Sequence, residues 1–338
     1  MDFLRKYNYI DLHTAGEPFR LITEPIPDIP GTTMEEKRRC AEEKLSSLRR
    51  MAMLEPRGHD NMYGGLLLPP VKPGSDAGVL FMMAEGMTTM CGHGMLCLAR
   101  AAVELGLVGS GDGEHEFVVD APAATVKTGV SISGGRVQSV SFTNDVSFPC
   151  GLDVPLKTCE LGTTSADVAY GGAFMVLVKA TQLGLELNPG RLRELMGAAQ
   201  CLRKAAMEQL DFAHPDDPER TLRRNGCCLI LTEGPELCGQ TLLTRTFTVF
   251  GENQFDRSPT GTGTSALAAV LYARGLLSQE RGLVNRGISG LPFRADIVHQ
   301  GRGILPTISA QAYVTGKGVL ILEDGDPLAE GFSAAENC

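Results

Sequence analysis

Tryptophan is absent from this 338-residue chain and aromatic residues make up only 6% of it, while glycine occurs 40 times and proline 19 times. That balance predicts many turns and a strand-rich fold. A basic excess is also missing. Thirty-one Lys and Arg stand against forty Asp and Glu, a formal charge of -9. This excludes a broad nucleic-acid surface, because neutralising phosphates needs clustered base, but leaves room for a local basic pocket for a small anion. No run approaches the ~18 apolar residues of a membrane helix; the richest, 78–87, is interrupted by Glu85. The first ten residues, MDFLRKYNYI, lack the uninterrupted apolar stretch of a secretory signal. The ten cysteines, at 40, 91, 97, 150, 159, 201, 227, 228, 238 and 338, include no C-x2-C pair, so zinc-site spacing is missing. Ten thiols without a framework read as reduced cysteines of the cytosol. The expectation is a soluble cytoplasmic protein with no membrane and no nucleic-acid partner.

What is present begins with length: at roughly 100–200 residues per domain, two domains are expected. Residues 9–22 (YIDLHTAGEPFRLI) read as strand, Gly-containing turn and strand. Residues 33–51 read as one charged, exposed helix with Thr33 as N-cap and Glu35 and Glu36 in its first turn. A strand over 79–87 leads to a helix over 91–107. Residues 117–148 alternate as strands, with Gly134-Gly135 as a hairpin signal. A buried strand follows at 174–178. Asn188-Pro189 opens a helix that runs to about residue 210. The polar stretch 214–224 reads as a surface loop. Strands at 227–231 and 241–249 precede a second Gly-rich helix start, and hairpins continue to 322. The regular βαβ rhythm of a parallel sheet is missing.

An internal repeat organises these elements. CGHGMLCLARAAVELGL, from Cys91, and TGTGTSALAAVLYARGL, from Thr260, align without gaps at a separation of 169 residues. They match at Gly92/Gly261, Gly94/Gly263, Leu98/Leu267, Ala99/Ala268, Gly106/Gly275 and Leu107/Leu276. Each is a Gly-rich turn, a helix and a glycine stop, a combination that favours duplication over chance. The second helix is apolar almost all round and is expected to be sheathed by other structure.

A Gly-rich helix N-terminus presents unpaired N–H groups and the positive end of the helix dipole, a setting for an anion. The first start carries Cys91, and a thiol there ionises more readily. Such a thiolate beside a bound carboxylate is placed to remove the proton alpha to that carboxylate. His93 can contact polar groups of a substrate, and Asp256 can pair with its amine. These residues together point to proton abstraction from an amino or imino acid. Simpler roles hold elsewhere. Cys97, Cys227 and Cys228 read as small buried hydrophobes. His13, His59 and Asp60 read as local hydrogen-bonding residues, and Thr260 by itself reads most simply as an N-cap. GTGTS at 261–265 lacks the lysine of a phosphate loop, which disfavours nucleotide binding.

MCGHG at 90–94 and DRSPTGTGTSA at 256–266 resemble the paired active-site motifs of the proline racemase family. IDLHTAGEP at 10–18, PRGHD at 56–60 and YGGAF at 170–174 resemble further blocks of that family, so the likeness spans nearly the whole chain. The resemblance implies an α/β (α+β), diaminopimelate epimerase-like fold. Two pseudo-symmetric domains would each wrap strands around a central helix, with the active site in the cleft between them. The expected division is 1–155 and 156–312, with 313–338 returning to the first domain. A homodimer is implied, and no metal or organic cofactor.

One departure bears on function. Racemases and epimerases of this family carry cysteine in both motifs, whereas here Thr260 stands in the second. A threonine hydroxyl is too weak an acid to exchange protons as a thiol does near neutrality. One base suffices for elimination, and the Cys/Thr pair resembles the trans-3-hydroxy-L-proline dehydratases of the family. The expected reaction is Cα deprotonation by Cys91 and loss of the 3-hydroxyl, giving Δ1-pyrroline-2-carboxylate and water. Gly92, His93, Asp256, Gly261 and Thr262 would hold the imino acid, and Thr260 would cap its helix and bond the departing hydroxyl. The alternatives are a proline racemase or hydroxyproline 2-epimerase and, ranked lower, a non-catalytic imino-acid-binding protein. A thiol redox protein ranks lower still, since neither C-x-x-C nor a resolving partner is evident.

Overall fold

Eight main strands and one central helix recur twice along the chain in the same topological order. The computed structural model describes residues 4–251 and 254–333, and the chain divides into two units. The first comprises Met1–Phe142 with Gln311–Cys338, the second Thr143–Ala310. In the first unit the strands run in the spatial order Ala312–Glu323, Leu4–Thr14, Glu17–Glu24, Tyr63–Leu68, Ala77–Met83, Gly113–Asp120, Thr125–Ser133 and Arg136–Thr143. Neighbours are antiparallel except at Glu17–Glu24/Tyr63–Leu68 and Ala77–Met83/Gly113–Asp120, which are parallel.

The second unit repeats this pattern. Its order is Phe148–Thr158, Gly162–Tyr170, Phe174–Lys179, Cys228–Cys238, Thr241–Phe250, Gly282–Arg286, Pro292–Gln300 and Gly303–Ala310. Parallel pairs again fall at the third and fifth junctions. A parallel pair needs a crossover, and both units fill the two crossovers alike. The first holds helices Met34–Lys44 and Ser46–Met53 in one unit and Leu192–Gln209 in the other. The second holds the central helix, Gly92–Glu104 or Gly261–Ala273. The first unit takes its leading strand from the C-terminal end of the chain, because Ala312–Glu323 pairs with the whole length of Leu4–Thr14.

Each central helix packs against several strands of its own unit. In Gly261–Ala273 every residue from Gly261 to Leu271 is buried, as its all-round apolar character predicts. No helix among the described residues is long and apolar enough to cross a membrane.

The structure departs from the sequence pattern in four places. The first division falls after Phe142 rather than after 155, because Phe148–Thr158 pairs with Gly162–Tyr170 of the second unit. Where the pattern predicts one helix over 33–51, the chain makes two, separated at Leu45 (φ -115°, ψ 19°). Thr33 and Glu36 form a reciprocal capping box on the first. That helix buries only Met34 and Ala41, whereas the second buries the consecutive Met51, Ala52 and Met53, which the same narrow stripe cannot present. Asn188 caps a 3-10 turn, Pro189–Arg191, before the α-helix begins at Leu192.

The expected loop over 214–224 instead contains the strand pair Ala213–His214/Asp217–Thr221 and a turn that buries Leu222. The His214 ring stands edge-on to Tyr170 and Phe148, at 4.7 and 5.4 Å between centroids. Arg220 donates to the Tyr170 hydroxyl at 2.7 Å. Burial, with Arg220 nearby, lowers the His214 pKa. Cys338 and the rest of 334–338 lie outside the described residues.

Candidate active site

The first Gly-rich helix start is closed by sulfur. Cys91 is the N-cap of Gly92–Glu104, in an extended conformation (φ -147°, ψ 111°), and its Sγ accepts from the Gly94 N–H at 3.3 Å. His93 Nδ1 lies 3.3 Å from the same sulfur. The imidazole is 4% exposed and stands edge-on to Tyr63, with ring centroids 4.8 Å apart, and to Phe19, 6.0 Å apart. Gly94 has to be glycine, because a Cβ there would lie 2.6 Å from Phe81 Cε1 and 2.8 Å from Phe19 Cε2. The helix therefore begins with a buried thiol whose sulfur meets both a backbone donor and an imidazole.

The second start is built differently. Thr260, expected to cap its helix, makes no side-chain cap bond. Its backbone sits at φ +64°, ψ 114°, a region that costs a β-branched residue about 1–3 kcal/mol. The side chain is thereby turned back to Asp256, and Thr260 Oγ1 donates to Asp256 Oδ2 at 2.8 Å. Asp256 is buried, and its Oδ1 accepts from the Ser258 N–H at 2.7 Å. Each carboxylate oxygen still has capacity to accept a further donor. The first-turn N–H groups of Gly261, Thr262 and Gly263 have no intrahelical acceptor by construction, and the N-cap side chain does not take them. Gly171, from the YGGAF block, lies close beneath this turn, where a Cβ would come 2.3 Å from the Thr262 carbonyl oxygen.

Seven residues were expected at the site. Cys91, Gly92 and His93 fall together in the first unit, and Asp256, Thr260, Gly261 and Thr262 fall together in the second. Other residues escape a reading of the sequence. Tyr63 and Phe19 frame His93 from strands far away in the chain. Ser258 accepts the Thr260 N–H on its Oγ at 3.1 Å. Asn285 and Thr264 reach the Pro259 carbonyl beside Thr260. An asparagine amid a strand carries no periodicity signal for such a role.

The other cysteines differ from Cys91 in setting. Cys97 and Cys227 are buried, as expected, and Cys228 is half-buried by exposure. Burial raises the Cys97 pKa well above its ordinary value and lifts Cys227 to about 11 and Cys228 to about 12. All three are held as inert thiols. His13 accepts from the Gly16 N–H on Nδ1 at 3.3 Å and stacks on Tyr313, a local role.

Comparison with known proteins adds an independent finding. The family model described as "Proline racemase" matches residues 9–333. A proline racemase of Clostridioides difficile is 35% identical over 98% of this chain and 99% of its own. A trans-3-hydroxy-L-proline dehydratase of Azospirillum brasilense is also 35% identical, with the same coverage. The crystal structure of a hydroxyproline epimerase from Agrobacterium vitis, with bound trans-4-hydroxy-L-proline, superposes with a TM-score of 0.89. It has 28% sequence identity and covers 99% of this chain and 97% of that one.

Proposed function

The chain belongs to the proline racemase family, and we propose that within it the protein is a trans-3-hydroxy-L-proline dehydratase. The observation that carries the reading is the unequal chemistry of the two helix starts: a thiol at Cys91, and at Thr260 a hydroxyl whose proton is directed to Asp256. Overall identity does not discriminate, since a racemase and a dehydratase are equally similar. The reading rests instead on residue 260, because a two-base inversion needs a second group that exchanges protons near neutrality, and an aliphatic hydroxyl does not.

In this proposal the substrate carboxylate is seated by the open first-turn N–H groups of Gly261–Ala273, where the negative charge developing at Cα is delocalised and stabilised. The Gly94 N–H and the helix dipole favour the anionic sulfur of Cys91. Cys91 takes the Cα proton. The electron pair released forms a Cα–C3 double bond, the C3–O bond breaks, and the hydroxyl departs as water. One proton must reach that oxygen, and the proton taken at Cα closes the balance over the turnover. The resulting enamine tautomerises to Δ1-pyrroline-2-carboxylate. Asp256 keeps acceptor capacity for the ring N–H, and His93 orients substrate beside the sulfur. Thr260 is assigned to hold Asp256 rather than to cap its helix. A cytoplasmic location and a homodimer complete the proposal.

The test is incubation of the purified protein with trans-3-hydroxy-L-proline and detection of pyrroline with o-aminobenzaldehyde. Product from the 3-hydroxy isomer, absent with Cys91→Ser, supports the dehydratase. An inverted hydroxyproline without pyrroline means epimerisation, and ligand binding without any turnover means a binding protein.

A further inference from the structure

Thr260 holds a backbone conformation that threonine rarely adopts, and the groups around it show how that is maintained. Its N–H is held by Ser258 Oγ at 3.1 Å, its carbonyl by the Thr264 N–H at 2.7 Å and its hydroxyl by Asp256 at 2.8 Å. The preceding peptide is fixed through the Pro259 carbonyl. That oxygen accepts from Thr264 Oγ1 at 3.1 Å, and Thr246 Oγ1 and Asn285 Nδ2 each lie 3.4 Å away. Asn285 is the hub. Its Nδ2 donates to Thr264 Oγ1 and to Thr246 Oγ1, both at 3.0 Å, and its Oδ1 accepts from Thr244 Oγ1 at 3.1 Å. Asn285, Thr244, Thr246 and Thr264 are all buried. A polar cluster of this kind is expensive to bury unless its members satisfy one another, and once satisfied it fixes a single arrangement. Gly287 adds a steric wall, since a Cβ there would lie 2.5 Å from the Ser258 carbonyl carbon.

We propose that Asn285 is a positioning residue for substrate binding. Through Thr264 and the Pro259 carbonyl it keeps Thr260 at positive φ, so that the Thr260 side chain stays on Asp256 and the first-turn amides of Gly261–Ala273 stay available to the substrate carboxylate. Without the clamp, Thr260 relaxes to the extended conformation of an ordinary N-cap, and its hydroxyl takes an N–H that the carboxylate needs. The inference rests on reading this turn as a seat for the substrate carboxylate.

The experiment measures L-proline affinity by calorimetry, with KM and kcat on trans-3-hydroxy-L-proline, for Asn285→Leu with Thr260 intact and in a Thr260→Gly background. Glycine takes positive φ without strain. With Thr260 present, Asn285→Leu should weaken L-proline binding and raise KM about tenfold, with kcat within about threefold, the signature of lost binding rather than lost chemistry. In the Thr260→Gly background the same substitution should cost under about threefold, because the clamp has no strain left to hold. Equal losses in the two backgrounds, or unchanged affinity in a cooperatively melting Asn285→Leu protein, overturn the proposal. Should Asn285→Leu not fold, Thr264→Val decides: a loss of about fivefold that Thr264→Ser restores supports the clamp, and no loss refutes it. Wild type that binds L-proline but turns over no imino acid refutes the dehydratase reading and leaves the clamp measurable. Wild type that binds no imino acid refutes the carboxylate seat, and this inference with it.

Discussion

The two central helices begin with the same Gly-x-Gly spacing and have the same length, yet their N-caps do opposite things. Cys91 folds its side chain onto its own helix, sulfur to the Gly94 N–H. Thr260 turns away from its helix, to Asp256. The backbone angle decides between them: φ -147° lets a side chain reach the first turn, and φ +64° swings it off. The same strand order can therefore carry two differently built helix starts. In the proposed chemistry the capped half supplies the base and the uncapped half supplies a fixed acceptor and open amides.

The comparison can be broken first at the sulfur. Cys91→Ser should lower kcat for trans-3-hydroxy-L-proline by about 10³-fold or more, the scale of a lost general base, in steady-state assays of a protein whose melting temperature is checked in parallel. Thr260→Cys makes the two starts chemically alike. Dehydration should fall about tenfold while deuterium from D2O enters Cα with inversion, as two-thiol chemistry requires, a product seen by chiral chromatography and NMR.

The glycines test the packing half of the comparison. At Gly94 an added Cβ meets two buried rings at 2.6 and 2.8 Å, whereas at Gly263 it meets the flexible tip of Ile230 at 2.9 Å. Gly94→Ala should cost about 2–3 kcal/mol in urea unfolding and Gly263→Ala about 1 kcal/mol.

The smallest expected effect concerns acid. The buried Asp120 of the first unit accepts from the Val71 and Lys72 N–H groups and from Ser75 and Thr125 hydroxyls. Burial pushes its pKa up, but these donors together hold it below the ordinary value. Its stabilisation is therefore complete above the unfolded pKa of about 3.9 and is lost as pH falls through the lower folded value. The Asn285 cluster of the second unit does not titrate. Protection factors from hydrogen exchange, with the intrinsic pH dependence divided out, should fall from pH 6 to pH 3 around residues 71–75 and hold at 244–246 and 285, a contrast that Asp120→Asn should erase.

Much of this organisation is legible in the sequence. The repeat from Cys91 and from Thr260 locates both central helices, because cap, apolar body and glycine stop are local signals. The all-round apolar face of residues 261–273 foretells a sheathed helix. Other features depend on partners far along the chain and leave no local trace. The break at Leu45 follows from which methionines the first unit's core takes in, and Leu222 is buried although its neighbours are polar. The expected cap at Thr260 fails for the same reason: propensity favours a threonine cap, but Asp256, Ser258 and the Asn285 cluster together hold it in another conformation.

The central claim, that one thiol drives elimination, is tested most directly by proton NMR in D2O with trans-3-hydroxy-L-proline and L-proline run side by side. The account predicts conversion of the first to Δ1-pyrroline-2-carboxylate and no D-proline from the second. Accumulation of D-proline deuterated at Cα, with no pyrroline from the hydroxylated substrate, would contradict it.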